Sequence, residues 1–220
     1  MTDDFIILDW NDVVFAKLSY LPEAPNKKGF SHASVYYDAE LNGDKKPLVI
    51  RSPPIDCPFG VSSWPDGGCS LQAVLEDEES FTEWTKNFNE SILSLSKKLP
   101  KLLGIQAPAG QTFLKRGLWQ PAVKEGFPGH MNLDVPSKKG KDGQPVILPQ
   151  FLFNERGDHV KIDPPIKQKF RGQLCFQIYD IQASKEGIVS VNCRLHAALI
   201  ESYEVTQHRA VGKVFSGNLF

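Results

Sequence analysis

The chain has 220 residues, 41% hydrophobic and 23% charged, which suits one globular domain with a real core and excludes global disorder. Its formal net charge of −1 excludes a uniformly basic protein, yet residues 1–110 carry six excess acids and residues 111–220 five excess bases. Most of the basic excess lies between Lys115 and Arg171, where 11 bases face 6 acids.

No run approaches the roughly 18 apolar residues of a membrane span. The opening MTDDFIILDW is acidic, with too short an apolar run for a secretory signal. Cys57, Cys69, Cys175 and Cys193 form no CxxC pair. Cys57 and Cys69 could bridge a turn, but reduced thiols are the simpler reading. These features predict a soluble, intracellular protein with no membrane partner.

In chain order, Phe5 to Tyr20 reads as a pair of short strands, and PEAPNKKG as a loop. SHASVYYDAEL is a strand ended by the Asn42–Asp44 turn. PLVIRS is the next, and Pro53-Pro54 is expected to stop it because proline offers no ladder donor. CSLQAVLED places Leu71, Ala73 and Leu75 on one face of a further strand.

A helix is predicted over about 80–100, where Phe81, Trp84, Phe88, Ile92, Leu95 and Leu99 recur at helical spacing. Ser80 with Glu83 resembles a capping box, and Pro100 marks the end. The aromatic stripe reads as core. HMNLDV and PVILPQFLF are strands around a basic hairpin spanning about 131–153, with Asp142-Gly143 as its turn signal. NERGD is a second turn. RGQLCFQIYDIQA alternates over Leu174, Phe176, Ile178 and Ile181, and IVSVNCRLHAALIESYEV is a long closing strand or pair. Many short strands with one good helix predict a mainly β fold, a small Greek-key barrel with a helical insertion.

Catalytic signatures are absent: the chain has no phosphate loop, GxGxxG, GxSxG or HExxH. The five histidines have no second ligand at metal spacing, and Glu76–Glu79 reads as the acidic flank of a helix rather than a cation site. No enzyme, cofactor or metal is expected.

What recurs is an aromatic beside a cation. Arg51 precedes Phe59 and Trp64; Lys115 and Arg116 precede Trp119, with Lys124 following. Lys138, Lys139 and Lys141 precede Phe151 and Phe153; Lys167, Lys169 and Arg171 surround Phe170. Single-stranded nucleic acid asks for this pairing, since cations follow phosphates and flat side chains accept unstacked bases. Period-2 alternation does not decide whether Phe151 and Phe153 face in or out. Trp64 and Trp119 are the leading stacking residues, and the lysines of the hairpin the leading phosphate contacts.

The order of these segments resembles a known family. A basic strand leads to Pro54-Ile55-Asp56-Cys57-Pro58-Phe59-Gly60; Trp119-Gln120-Pro121-Ala122-Val123-Lys124 precedes Phe127-Pro128 and Met131 to Val135. Gly172-Gln173-Leu174 and Gly187-Ile188-Val189-Ser190 follow. Over about residues 45–200 this pattern resembles the single-stranded-DNA-binding proteins of large DNA viruses and, more distantly, those of podovirus-type phages.

The resemblance implies an OB-fold barrel over residues 1–205 that coats single-stranded DNA during viral replication, recombination or repair, without catalysis. It also implies replication proteins as partners. Phage relatives end in an acidic tail. This chain keeps a terminal Phe220 but carries Arg209 and Lys213 and no acid after Glu204, so residues 206–220 read instead as an arm for homo-oligomer formation. DNA and RNA both remain open as ligands, and a scaffold or virion module that shows its aromatics to protein partners is the alternative.

Overall fold

The structure is a computed structural model that describes residues 5–25, 30–39, 45–64, 68–75, 78–94, 113–122, 125, 127–140, 145–155, 158–161, 168–184 and 187–203. The first half contains β1 (Ile6–Asp9), β2 (Leu18–Glu23), β3 (Ser31–Asp38), β4 (Lys45–Lys46), β5 (Leu48–Cys57), β6 (Val61–Ser63), β7 (Cys69–Val74) and helix α1 (Glu79–Ser94). The second half contains β8 (Phe113–Arg116), β9 (His130–Asp134), β10 (Ser137–Lys139), β11 (Pro145–Ile147), β12 (Gln150–Glu155), β13 (Asp158–Lys161), β14 (Phe170–Ala183) and β15 (Ile188–Tyr203).

Five of these strands form a ring. β5 meets β7 through Asp56 and Val74, β7 pairs along its length with β9, and β9 touches β15 at Asp134 and Arg194. β15 pairs with β14, which returns to β5. Numbered 1 to 5 along the chain, the ring runs 1-2-3-5-4-1, parallel at the 3–5 contact and antiparallel elsewhere. This is the OB-like Greek key predicted from the sequence, a partly closed five-stranded barrel. β3 and β2 extend the sheet beyond β14, and β12 and β13 extend it beyond β15. The basic hairpin is a separate two-stranded sheet of β10 and β11.

Alternation explains the inside of the ring. Leu71 and Ala73 of β7, Met131 and Leu133 of β9, and Leu174, Phe176, Ile178 and Ile181 of β14 are all buried in one core. α1 adds Phe81, Phe88 and Ile92 to it, and Trp84 stacks on Phe81 with ring centroids 5.6 Å apart. Each such ring or branched chain taken fully from water contributes about 1.5–3 kcal/mol. The aromatic stripe of the helix is therefore core, as its periodicity indicated.

Two local expectations are corrected. Strand β5 runs straight through Pro53-Pro54. On one side these prolines fall between the stretch paired with β1, which ends at Arg51, and the pair with β7 at Asp56, so no donor is needed there. On the other side the ladder with β14 shifts between Gln173 and Cys175, and the Ser52 hydroxyl accepts from Leu174 N at 2.9 Å. Ser80 is not the cap of α1. Glu78 O accepts from Thr82 N at 2.8 Å, which puts the cap two residues earlier.

Gly172 sits at the register shift where β14 crosses closely under β15; a β-carbon there would lie 2.4 Å from Leu199 O. Backbone cannot yield as a side chain can, so Gly172→Ala is expected to destabilise the protein by about 1–3 kcal/mol. Urea unfolding is the check. An unchanged midpoint would show that the β14–β15 crossing opens without cost.

Candidate nucleic-acid interface

The outer face of β7 and β9 is polar because the inner face took the apolar residues. Ser70 lies opposite Asp134, Gln72 opposite Asn132, and Val74 opposite His130. β6 pairs onto β7 and extends this face. The chain turns at Pro58-Phe59-Gly60, where Gly60 adopts φ 57°, a conformation open chiefly to glycine, and Gly60 N donates to Cys57 O at 3.4 Å. That turn leaves Phe59 56% exposed. Trp64 is 57% exposed, and its indole N–H donates to Ser70 Oγ at 3.1 Å, which fixes the ring against β7.

The opposite wall comes from β8. α1 fixes its position through Asn89: Leu118 N donates to Asn89 Oδ1 at 2.8 Å, and Asn89 Nδ2 donates to Trp119 O at 2.8 Å. Gln120 and His130 exchange backbone hydrogen bonds at 2.9 and 3.0 Å, tying the following segment to β9. β8 itself lies parallel to the start of β15. The result is a groove of about 690 Å³ lined by Phe59, Trp64, Lys115, Arg116, Gln72 and Asn132 among others. Two of its walls are exposed aromatic rings and two of its cations come from one strand.

The groove continues in both directions. Phe59 and Gln72 also line an apolar pocket of about 460 Å³ with Phe127, Val74 and His130. At the other end Trp64, Ser70 and Asp134 also line a cleft of about 430 Å³ with Tyr179, Arg194 and Ser137. There Arg194 lies over the Tyr179 ring, 5.2 Å from its centroid, and its Nε donates to Gln177 Oε1 at 2.9 Å. Asp134 stands at the junction. It is 3.2 Å from Arg116 Nη2 and accepts from Tyr179 OH at 3.1 Å. Burial, followed by the neighbouring Asp134 carboxylate, pushes the Tyr179 phenol up, so it remains a donor at neutral pH.

Four predicted residues, Phe59, Trp64, Lys115 and Arg116, thus meet in one groove. Lys138 and Lys139 are exposed on the hairpin, whose first residue, Ser137, lines the adjoining cleft. Trp119 is half-buried on the core, with Lys86 Nζ 5.2 Å from its ring centroid, so it is not an open stacking surface. Phe151 is 1% exposed and offers no face to a base, while Phe153 is partly buried against the same core.

Three further predicted cations, Arg51, Lys169 and Arg171, lie beside acids. Arg51 holds Asp9, with Nη2 3.3 Å from Oδ2 and Nε 3.0 Å from Oδ1. Arg171 pairs with Glu78 at 2.7 Å and Asp56 at 3.5 Å, and Lys169 lies 3.8 Å from Asp56. Partial burial works against the Arg171 charge, but hydrogen bonds to Glu78 and Asp56 outweigh it and hold the guanidinium's pKa above its ordinary value. Lys124, Lys141, Lys167 and the C-terminal arm lie outside the described residues.

The four cysteines are buried and form no disulfide with one another, and burial pushes the Cys175 and Cys193 thiols up to about 12. They are inert packing residues. Among the described residues no helix is long and apolar enough to cross a membrane, and no group of three or more potential ligands could hold a metal ion. No protein-family model matches the chain, and no curated protein is similar to it.

Proposed function

We propose that this protein binds single-stranded DNA along the β7–β9 face of its barrel, without catalysis and with little dependence on sequence. The observation that carries this reading is the groove in which Phe59 and Trp64 stand beside Lys115 and Arg116. OB-type barrels present oligonucleotides to the face of their second and third strands and to the loop between the first and second. In this ring those are β7, β9 and the segment carrying Phe59, β6 and Trp64. Exposed rings there accept bases at about 1–3 kcal/mol each, and cations on β8 and the hairpin neutralise phosphates. Replication, recombination or repair is the setting proposed for such a coat.

Titration of the protein with oligo(dT) is expected to quench tryptophan fluorescence, since Trp64 is the exposed indole among the described residues. If Lys115, Arg116, Lys138 and Lys139 each neutralise one phosphate, the logarithm of affinity falls with the logarithm of salt at a slope of roughly −3. That corresponds to about fiftyfold between 50 and 200 mM salt. Unchanged fluorescence and no salt-dependent mobility shift at micromolar protein would overturn the proposal. The same titration with poly(rU) separates DNA from RNA, which differ by the 2′-hydroxyl.

A further inference from the structure

The pocket beyond Phe59 is not needed to follow phosphates. Among the described residues its lining has no lysine or arginine: it is Pro58, Phe59, Gln72, Val74, Phe127, Pro128 and His130. Yet it adjoins the groove, since Phe59 and Gln72 line both. Its volume of about 460 Å³ lies in the range of roughly 300–1,000 Å³ typical of small-ligand sites.

Phe59 and Phe127 are 56% and 60% exposed, so both rings keep open surface at the mouth. The floor is polar at two points. Gln72 has no side-chain hydrogen bond among the described residues, so its amide keeps a donor and an acceptor. His130 is 5% exposed. Burial, only partly offset by the neighbouring Pro128 backbone, pulls its pKa below the usual histidine value; the ring is neutral at pH 7 and keeps one nitrogen lone pair.

We infer that this pocket takes one unstacked nucleobase from the strand lying in the groove, held between phenylalanine rings with its edge against Gln72 and His130. The inference rests on the single-strand reading of the groove. A base fits better than an aromatic side chain from a protein partner. The pocket adjoins the basic groove, with Phe59 and Gln72 lining both, so a strand lying in the groove brings its own bases beside it. Its two polar groups also match the donor–acceptor edge that every base carries and that a phenylalanine lacks. Such a site makes affinity depend on the presence of bases, and not on phosphate charge alone.

The test compares oligo(dT) with an abasic sugar-phosphate strand of equal length, for the wild type, Phe127→Ala and Gln72→Ala. Phe127→Ala is expected to weaken oligo(dT) binding about 5- to 150-fold, the range for one lost stacking contact, and to leave the abasic strand unaffected. Gln72→Ala is expected to act in the same direction with a smaller change. Photo-cross-linking of 5-iododeoxyuridine strands is expected to label the Phe127–His130 peptide.

Unchanged oligo(dT) affinity in Phe127→Ala overturns the inference and leaves the pocket to a protein partner. An equal loss on both strands overturns it as well, since that marks a structural effect. Failure of the wild type to bind either strand overturns the groove reading itself, a separate result.

Discussion

Trp64→Ala is expected to weaken binding to oligo(dT) by about 1–3 kcal/mol, a loss of roughly 5- to 150-fold, and to remove most of the fluorescence quenching. The ring is 57% exposed and joined to the barrel by one hydrogen bond from its indole N–H to Ser70, so its removal costs little packing. The other tryptophans are different: Trp10, Trp84 and Trp119 are partly buried and packed on the core. They report on folding and supply an internal control. Urea unfolding of the variant should match the wild type, and salt dependence should keep its slope, because a stacking contact releases no counterion. A changed slope with unchanged affinity at low salt would contradict the role given to Trp64.

Asp134→Asn is expected to do the opposite and tighten binding. Asp134 is the acid among the described residues lining the groove, where its carboxylate lies 3.2 Å from Arg116 and would compete with phosphates bound there. Two like charges about 4 Å apart in water repel by about 1 kcal/mol, so its removal corresponds to roughly fivefold at low salt. Arg116 already counts among the four phosphate contacts, so removing the competing acid strengthens that contact and should leave the salt slope close to the wild-type value. Asparagine keeps the size of the side chain and an acceptor for Tyr179 OH, so the local geometry is preserved. Arg116→Ala should weaken binding and make the slope shallower. Weaker binding by Asp134→Asn would show that the carboxylate orients Arg116 and Tyr179 for the ligand and does not compete with it.

Much of the barrel was legible because strand alternation is a local signal. CSLQAV separates buried from outward residues along its length and HMNLDV does so from Met131 on, and outward Ser70, Gln72, Asn132 and Asp134 could have been read as one polar face had the pairing of β7 with β9 been known. Long-range partners were not legible. Arg51 and Arg171 look like phosphate ligands in sequence, but Asp9 lies 42 residues from the first and Glu78 lies 93 from the second. Phe151 defied period-2 reading because β12 is parallel to β15 and buried along that side. Asn89 gave no signal either. A single polar residue within a helix is unremarkable until its amide is seen to hold the backbone of residues 118 and 119.

β15 has a consequence for how the chain assembles. Its edges receive β8 near Ile188, β9 at Arg194 and β12 near Ala197, while β14 lies along its length. On the ribosome the preceding strands emerge before this common partner exists. β8, β9 and β12 therefore wait with unpaired backbone edges until residues near 200 have been made. Ring closure thus waits for β15, and the nascent chain is most prone to aggregation just before β15 emerges.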